Sequence, residues 1–451
     1  MRLRPWWLLL AVLAVSLLVR DDDSLPAAAS PPPTIVGEFV PGEVLVGVQE
    51  RLPETIDVAA AVAGARPLER IPSLGVFRIG LPPGMEVAEA MAIYQRFPWV
   101  HYAEPNYVLR AAIVPNDTLY GANQSWYYEL LEGPAAWDVE TGDRSIIVAA
   151  LDTGIDLDHP DLDSKIWANT KEIAGNGKDD DGNGCVDDRN GCNWLGSASN
   201  GNVQDDNGHG TMVGGIVGVE SNNARGVVGT AWGATLMPVK VLNSAGNGNI
   251  FDVAEGIVYA AENGARVLNM SLAGRPPPCG STLGNAINEA HDTFGATLVA
   301  ASGNDGRNQV ACPAAHSDVI AVGASGGQSN TDKRASFSNW GRKIDVVAPG
   351  VDICSTFPPE LPLLAGFTSI GSGNRYACGS GTSFSTPLVS GLAALILSRD
   401  RFATNERVRF FLCASAVNLP DAGETGWDGC GRINMLEALP ALTFVPGISR
   451  D

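Results

Sequence analysis

From about Pro115 onward, short apolar runs rich in β-branched residues alternate with stretches of helical apolar spacing. The runs fall at residues 146–151, 236–242, 267–272, 297–301, 319–322 and 345–348, and helical spacing appears at 250–263 and 282–294. A strand that is apolar at every position is buried on both faces. Such strands alternating with helices predict a doubly wound, mostly parallel α/β sheet. In sheets of this kind, functional side chains gather beyond the carboxyl ends of the strands.

The rest of the chain is organised differently. Residues 1–4 carry two arginines and residues 6–19 form an apolar run broken only by Ser16. That run is short for a bilayer span, which needs about 20 residues, but suits the core of an export signal. We therefore expect a signal peptide over 1–30 and a secreted protein, with retention as a membrane anchor the alternative. A Pro-rich linker follows at 31–39. Residues 40–111 read as a small α+β domain, with strands at 44–48, 76–79 and 102–109 and helical spacing at 58–63 and 87–97. The α/β domain is expected over 112–440, followed by a tail at 441–451. A formal net charge of −20 argues against a nucleic-acid partner, which requires clustered Lys and Arg. Nothing in the sequence requires an oligomer, and a monomer is expected.

Four residues are candidates for chemistry. Asp152 ends the run at 146–151, where a buried carboxylate is costly unless paired, although a turn role with Thr153 and Gly154 also fits. His209 lies among small residues in Asn207-Gly208-His209-Gly210-Thr211, just before an apolar stretch. Ser383, in Gly381-Thr382-Ser383-Phe384-Ser385-Thr386-Pro387, opens the apolar helix at 388–397. Free N–H groups there favour developing negative charge. An N-cap role suits Ser383 as well, and Ser380 and Ser385 are rival serines. Asn304 follows the run at 297–301, where its amide could donate to an oxyanion or simply form a turn.

Taken together, these residues resemble the subtilases over about residues 116–438, and the thermitase-like branch in particular. The order Asp, His, Ser is that of the subtilisin arrangement. Leu151-Asp152-Thr153-Gly154-Ile155, Asn207-Gly208-His209-Gly210-Thr211 and Gly381-Thr382-Ser383-Phe384-Ser385 are similar to the three catalytic blocks. Ala301-Ser302-Gly303-Asn304 resembles the oxyanion block, and residues 267–274 resemble the strand that pairs with substrate. The resemblance implies a serine endopeptidase acting on proteins or peptides through an acyl-enzyme, with substrate held by Ser271, Leu272, Ala273, Gly274, Ala301, Ser302 and Gly303. Met212 and Phe384 depart from the family, which usually has His and Met there. Neither supplies a triad atom, so altered packing is expected. A catalytically silent calcium-binding export module is the rival reading, and a non-peptide esterase a weaker one.

The domain at 40–111 resembles the ferredoxin-like subtilase propeptide through Gly42-Glu43-Val44-Leu45-Val46 and Ala103-Glu104-Pro105-Asn106-Tyr107. The resemblance implies a folding aid and intramolecular inhibitor, cleaved between residues 110 and 116. Residues 221–229 resemble the family's calcium loop. By position, Asp117, Asp161 and Asn223 would supply side-chain oxygens, and Glu220, Arg225 and Val227 backbone carbonyls, a set suited to structural Ca²⁺. A second acidic stretch places Asp179, Asp181, Asn183 and Asp187 at the first, third, fifth and ninth positions of an EF-hand-like loop. Asn190 occupies the twelfth position, with Asp188 as a possible substitute. All eight cysteines lie in the larger domain. They suggest four disulfides, for which we expect nearest-neighbour pairing: Cys185–Cys192, Cys279–Cys312, Cys354–Cys378 and Cys413–Cys430.

Overall fold

The computed structural model describes residues 39–48, 58–108, 113–196, 199–274, 279–373, 375–420 and 426–440. The export segment, all but the last residue of the 31–39 linker, the tail and residues 110–112 of the expected cleavage region lie outside them. The chain divides into two compact units between Leu109 and Arg110.

In the first unit, β1 (Phe39–Val48), β2 (Arg66–Ile71), β3 (Val76–Gly80) and β4 (Val100–Tyr107) form an antiparallel sheet in the order β2-β3-β1-β4. Helix α1 (Val87–Tyr94) packs against it. Val44, Val46 and Ile79 from the sheet and Ala90 and Tyr94 from the helix are fully buried. Two expectations fail here. The helix expected at 58–63 is only a single 3-10 turn at Ala59–Ala61. Strand β2 was not anticipated, because every one of its residues is exposed and carries no alternating apolar signal.

In the second unit, helices α2 (Ser125–Leu130) and α3 (Gly133–Val139) precede a seven-stranded parallel sheet. Its strands are β5 (Ile147–Asp152), β6 (Cys192–Asn193), β7 (Thr235–Lys240), β8 (Val267–Met270), β9 (Thr297–Ala301), β10 (Val319–Ser325) and β11 (Val346–Pro349). Their order is β11-β10-β9-β8-β5-β7-β6, with β8 at the centre and β5 beside it. The β5 side chains alternate between two cores. Val148 and Ala150 join the one containing Leu388, Leu392 and Leu395, whereas Ala149 and Leu151 join the one containing Ile257 and Ala260. Both faces are therefore dry, as the unbroken apolar runs required. Each fully buried Leu or Val adds about 1.5–3 kcal/mol.

Four longer helices flank this sheet: α4 (His209–Val217), α5 (Ile250–Glu262), α6 (Ser281–Asn288) and α7 (Thr382–Arg399). Helix α8 (Asn405–Ala414) follows. A small antiparallel sheet of β12 (Ile353–Thr356), β13 (Thr368–Ile370) and β14 (Tyr376–Gly379) completes the unit. All four nearest-neighbour disulfides are present. No helix among the described residues is long and apolar enough to cross a membrane.

Candidate active site

The carboxyl end of β5 delivers Asp152, and the N-terminus of α4 delivers His209. Their close approach depends on a missing side chain, since a Cβ at Gly210 would lie 2.1 Å from the carbonyl oxygen of Gly154. Asp205 braces the corner. Its Oδ1 accepts from Thr153 Oγ1 and the Asn207 and Gly208 N–H groups, and its Oδ2 accepts from Thr211 N–H and Oγ1. The sequence reading missed Asp205, which looks like a loop acid until the fold closes the corner.

Asp152 is fully buried, and its Oδ1 accepts from His209 Nδ1 at 2.7 Å and from the Thr153 N–H at 2.8 Å. The imidazole side chain keeps 21% of its surface exposed, on the side facing the cleft. Burial acts against its charged form. The Asp152 charge and hydrogen bond, with a further contribution from Asp205, outweigh this and raise the His209 pKa above 6.5.

Ser383 lies in the first turn of α7, which begins at Thr382 rather than at 388. Pro387 sits inside that helix and has no N–H to give the Ser383 carbonyl four residues earlier. Ser271 Oγ donates to that carbonyl instead, at 2.8 Å. Asn269 Nδ2 donates to Ser271 Oγ and Ser390 Oγ to Asn269 Oδ1, so a buried polar chain holds the turn. The rival serines are engaged elsewhere. Ser385 is buried and bonds the Ala348 and Pro349 carbonyls, and Ser380 Oγ accepts from the Asp352 N–H.

Asn304 Oδ1 accepts from both the N–H and the hydroxyl of Thr382, each at 2.9 Å. Those two donors fix the amide orientation and leave Nδ2 as the outward donor. The Ser383 N–H is among the first-turn groups that a helix cannot satisfy internally.

His209, Ser383 and Asn304 line one cleft of about 660 Å³, together with Thr153, Asn207, Leu364, residues 271–274, 303–305 and 311–313 and the first turn of α5. Ser383 and His209 both line this cleft, and among the described residues no hydrogen bond joins Ser383 Oγ to His209 Nε2. Such contacts are often long before substrate binds. Of the expected substrate contacts, Ser271, Leu272, Ala273, Gly274 and Gly303 line the cleft. Ala301 and Ser302 do not. Both are buried beneath it, with the Ser302 N–H and Oγ bonded to the Val322 and Asn339 carbonyls. Phe384, which departs from the family pattern, packs 5.6 Å from the His209 ring and against Phe367. Met212 is fully buried in the core.

Of the first expected calcium set, Asp117, Asp161 and Asn223 lie together. Asn223 Nδ2 reaches Asp161 Oδ1 at 3.2 Å, and Asp117 accepts from the Asn222 and Asn223 N–H groups. Glu220 joins through its backbone, its N–H bonding the Asp161 carbonyl, while the Arg225 N–H bonds Asn223 Oδ1. Val227 is buried at the end of the same loop. Gly226 has φ +51°, and a Cβ there would lie 2.1 Å from Asp161 Oδ2. Burial pushes the Asp117 pKa up, partly offset by those backbone N–H groups, and Asp161 adds to the rise. Two buried carboxylates that raise each other's cost, with no basic ion-pair partner among the described residues, suit a cation. The sequence reading missed Tyr376, whose hydroxyl donates to Asp161 Oδ2 at 2.8 Å.

The second set does not form an EF-hand. Asp179 and Asp181 converge, but with Glu172 rather than with Asp187. Asp187 turns both carboxylate oxygens to the Asn176 and Gly177 N–H groups. Asn183 donates to Asp188 and caps the Cys185 N–H.

This chain is similar to known proteins in sequence and fold. The profile described as the subtilase family matches residues 143–431, and that described as the fervidolysin N-terminal prodomain matches residues 27–106. A thermophilic serine proteinase of Bacillus sp. (strain AK1) is 36% identical over 417 residues, covering 89% of this chain and 88% of the relative. Thermitase of Thermoactinomyces vulgaris is 34% identical, covering 72% and 99%, and subtilisin Savinase of Lederbergia lenta is 36% identical, covering 68% and 96%. A solved protease from Pseudoalteromonas arctica superposes with a TM-score of 0.59 at 29% identity, covering 72% of this chain and 99% of its own. With a matching profile over most of its length, relatives aligned nearly end to end and a shared fold, this chain belongs to the subtilase family and is a serine endopeptidase made as a proenzyme behind an N-terminal prodomain.

Proposed function

We propose that Asp152, His209 and Ser383 form the catalytic triad of this endopeptidase, with Asn304 and the Ser383 N–H as its oxyanion hole. His209 Nε2 takes the proton from Ser383 Oγ as that oxygen attacks the scissile carbonyl. It then returns the proton to the leaving amine, and water repeats the cycle on the acyl-enzyme. Asp152 holds the proton on Nδ1, keeping Nε2 as the base, and stabilises the imidazolium. Asn304 Nδ2 and the Ser383 N–H stabilise charge on the tetrahedral oxygen, and the side-chain donor in subtilisin is worth about 3–4 kcal/mol. The observation that carries the reading is the 2.7 Å Asp152–His209 bond opening onto the cleft that Ser383 and Asn304 also line.

The residues at 40–111 act as folding aid and inhibitor until the chain cuts itself between 110 and 116. Ca²⁺ held by Asp117, Asp161 and Asn223 side chains and the Glu220, Arg225 and Val227 carbonyls stabilises the mature unit, which is exported and acts on proteins or peptides as a monomer. Intact mass and N-terminal sequencing of wild type and Ser383→Ala, expressed with calcium, test this reading. Wild type should begin within 111–116, and the variant should retain 40–110. Retention in both would favour a silent binding module.

A further inference from the structure

Lys240 ends β7, is only 4% exposed, and takes no part in the proton transfers between Ser383, His209 and the substrate. An ammonium withdrawn from water is costly unless it is paired and hydrogen-bonded. Its Nζ donates to the Thr153 carbonyl, to the Leu242 carbonyl at 3.3 Å and to Asp206 Oδ1 at 2.7 Å. In the parallel pairing of β5 with β7, Asp152 and Lys240 are register partners. The Asp152 carbonyl accepts the N–H groups of Val241 and Leu242. Backbone bonds and the ammonium together therefore pin the end of β5 that carries Asp152. Asp206 stands three residues before His209, so the same ammonium also holds the loop that leads to the base.

Charge at this corner is unequal. Asp152 and Asp205 are buried, Asp152 Oδ2 has no hydrogen-bond partner, and Asp206 makes a third carboxylate. Among the described residues, Lys240 is the one Lys or Arg in an ion pair with any of the three. The first turn of α7 brings no acid, and Asp305 lines the same cleft.

We propose that Lys240 is a positioning residue of this peptidase, whose buried ammonium ties the end of β5 to the loop before α4 and offsets the carboxylates around His209. The proposal rests on the triad reading. Without the ammonium, the Thr153 carbonyl and Asp206 both lose a partner, and the Asp152–His209 pair is held less firmly. The uncompensated negative charge then favours the imidazolium.

Two measurements test this, one of them independent of turnover. In the full chain carrying Ser383→Ala, the His209 ring is titrated by proton NMR, its signal identified by its loss in His209→Gln. Lys240→Met removes the charge at nearly constant length, and His209 should then hold its proton at least about threefold more tightly. Lys240→Arg, which keeps the charge, should stay within about twofold of the parent. Asp206→Asn alters an exposed carboxylate, should move the titration the opposite way, and decides the matter if Lys240→Met does not fold. On the self-cleaved protein, Lys240→Met should lower kcat at least about tenfold and change KM less than about threefold. An unmoved His209 titration in the folded variants would overturn the proposal even if kcat fell, because lost packing alone explains such a fall. A moved titration with parental kcat would overturn the positioning role. A wild type that neither cleaves itself nor turns over peptide would count against the triad alone, since the NMR titration still decides whether Lys240 acts on His209.

Discussion

Replacing Ser271 with alanine removes the hydroxyl that serves the Ser383 carbonyl in place of a helical N–H. Two groups then lose their partner: the carbonyl itself, and Asn269 Nδ2, which donates to the same hydroxyl at 3.0 Å. An unsatisfied buried group costs about 1–3 kcal/mol, so the two together should cost roughly 2–6 kcal/mol. In a domain of this size each kcal/mol moves the unfolding midpoint by about 2 °C, giving a predicted fall of roughly 4–12 °C. Calorimetry in a Ser383→Ala background avoids self-digestion during the scan. A double-mutant cycle isolates the cause. Pro387→Ala supplies a new helical N–H four residues after Ser383, able to bond the same carbonyl. In that background Ser271→Ala should cost about 1–3 kcal/mol less, because only Asn269 is left unpaired. Effects on the unfolded chain cancel in the cycle. Equal costs in the two backgrounds, within about 0.5 kcal/mol, would refute the proposed link between Pro387 and Ser271.

The raised His209 pKa sets the pH profile: the base must be neutral, so kcat/KM should fall as pH drops through a value above 6.5, read from a pH–rate profile. For stability the sign is opposite, because the contribution of the ion pair is complete below 6.5 and is lost as pH rises through the folded-state value. Asp152→Asn should lower that pKa and cut kcat about 10⁴-fold, measured on any peptide substrate. Tyr376→Phe deletes the hydroxyl bonded to Asp161 and should weaken Ca²⁺ binding at the first loop by about 10–100-fold, seen by calorimetric titration; unchanged affinity would remove Tyr376 from the site.

Much of the second unit was legible because its strands are dry on both faces. The runs at 146–151, 267–272 and 297–301 could hardly be anything else, and their carboxyl ends carry Asp152, Ser271 and Asn304. Legibility failed where surroundings, not local sequence, decide. Strand β2 is wholly exposed and held by pairing to β3, so its Arg, Glu and Pro residues gave no period to read. Residues 58–63 have helical spacing but too few turns to overcome the cost of nucleation. The acidic loop misled for a related reason. A contiguous pattern favoured Asp187, whereas the chain folds Glu172 back from seven residues upstream of Asp179. Ala301 and Ser302 were grouped with Gly303 by adjacency, yet only Gly303 emerges from the sheet into the cleft.

The central claim is that Ser383 is the nucleophile, and covalent labelling tests it most directly. The mature protein is treated with a serine-directed fluorophosphonate, and the adduct is mapped by tandem mass spectrometry. A single adduct on Ser383, lost when the mature protein is unfolded before labelling, is the predicted result. No adduct, or one on Ser380 or Ser385, would contradict the account.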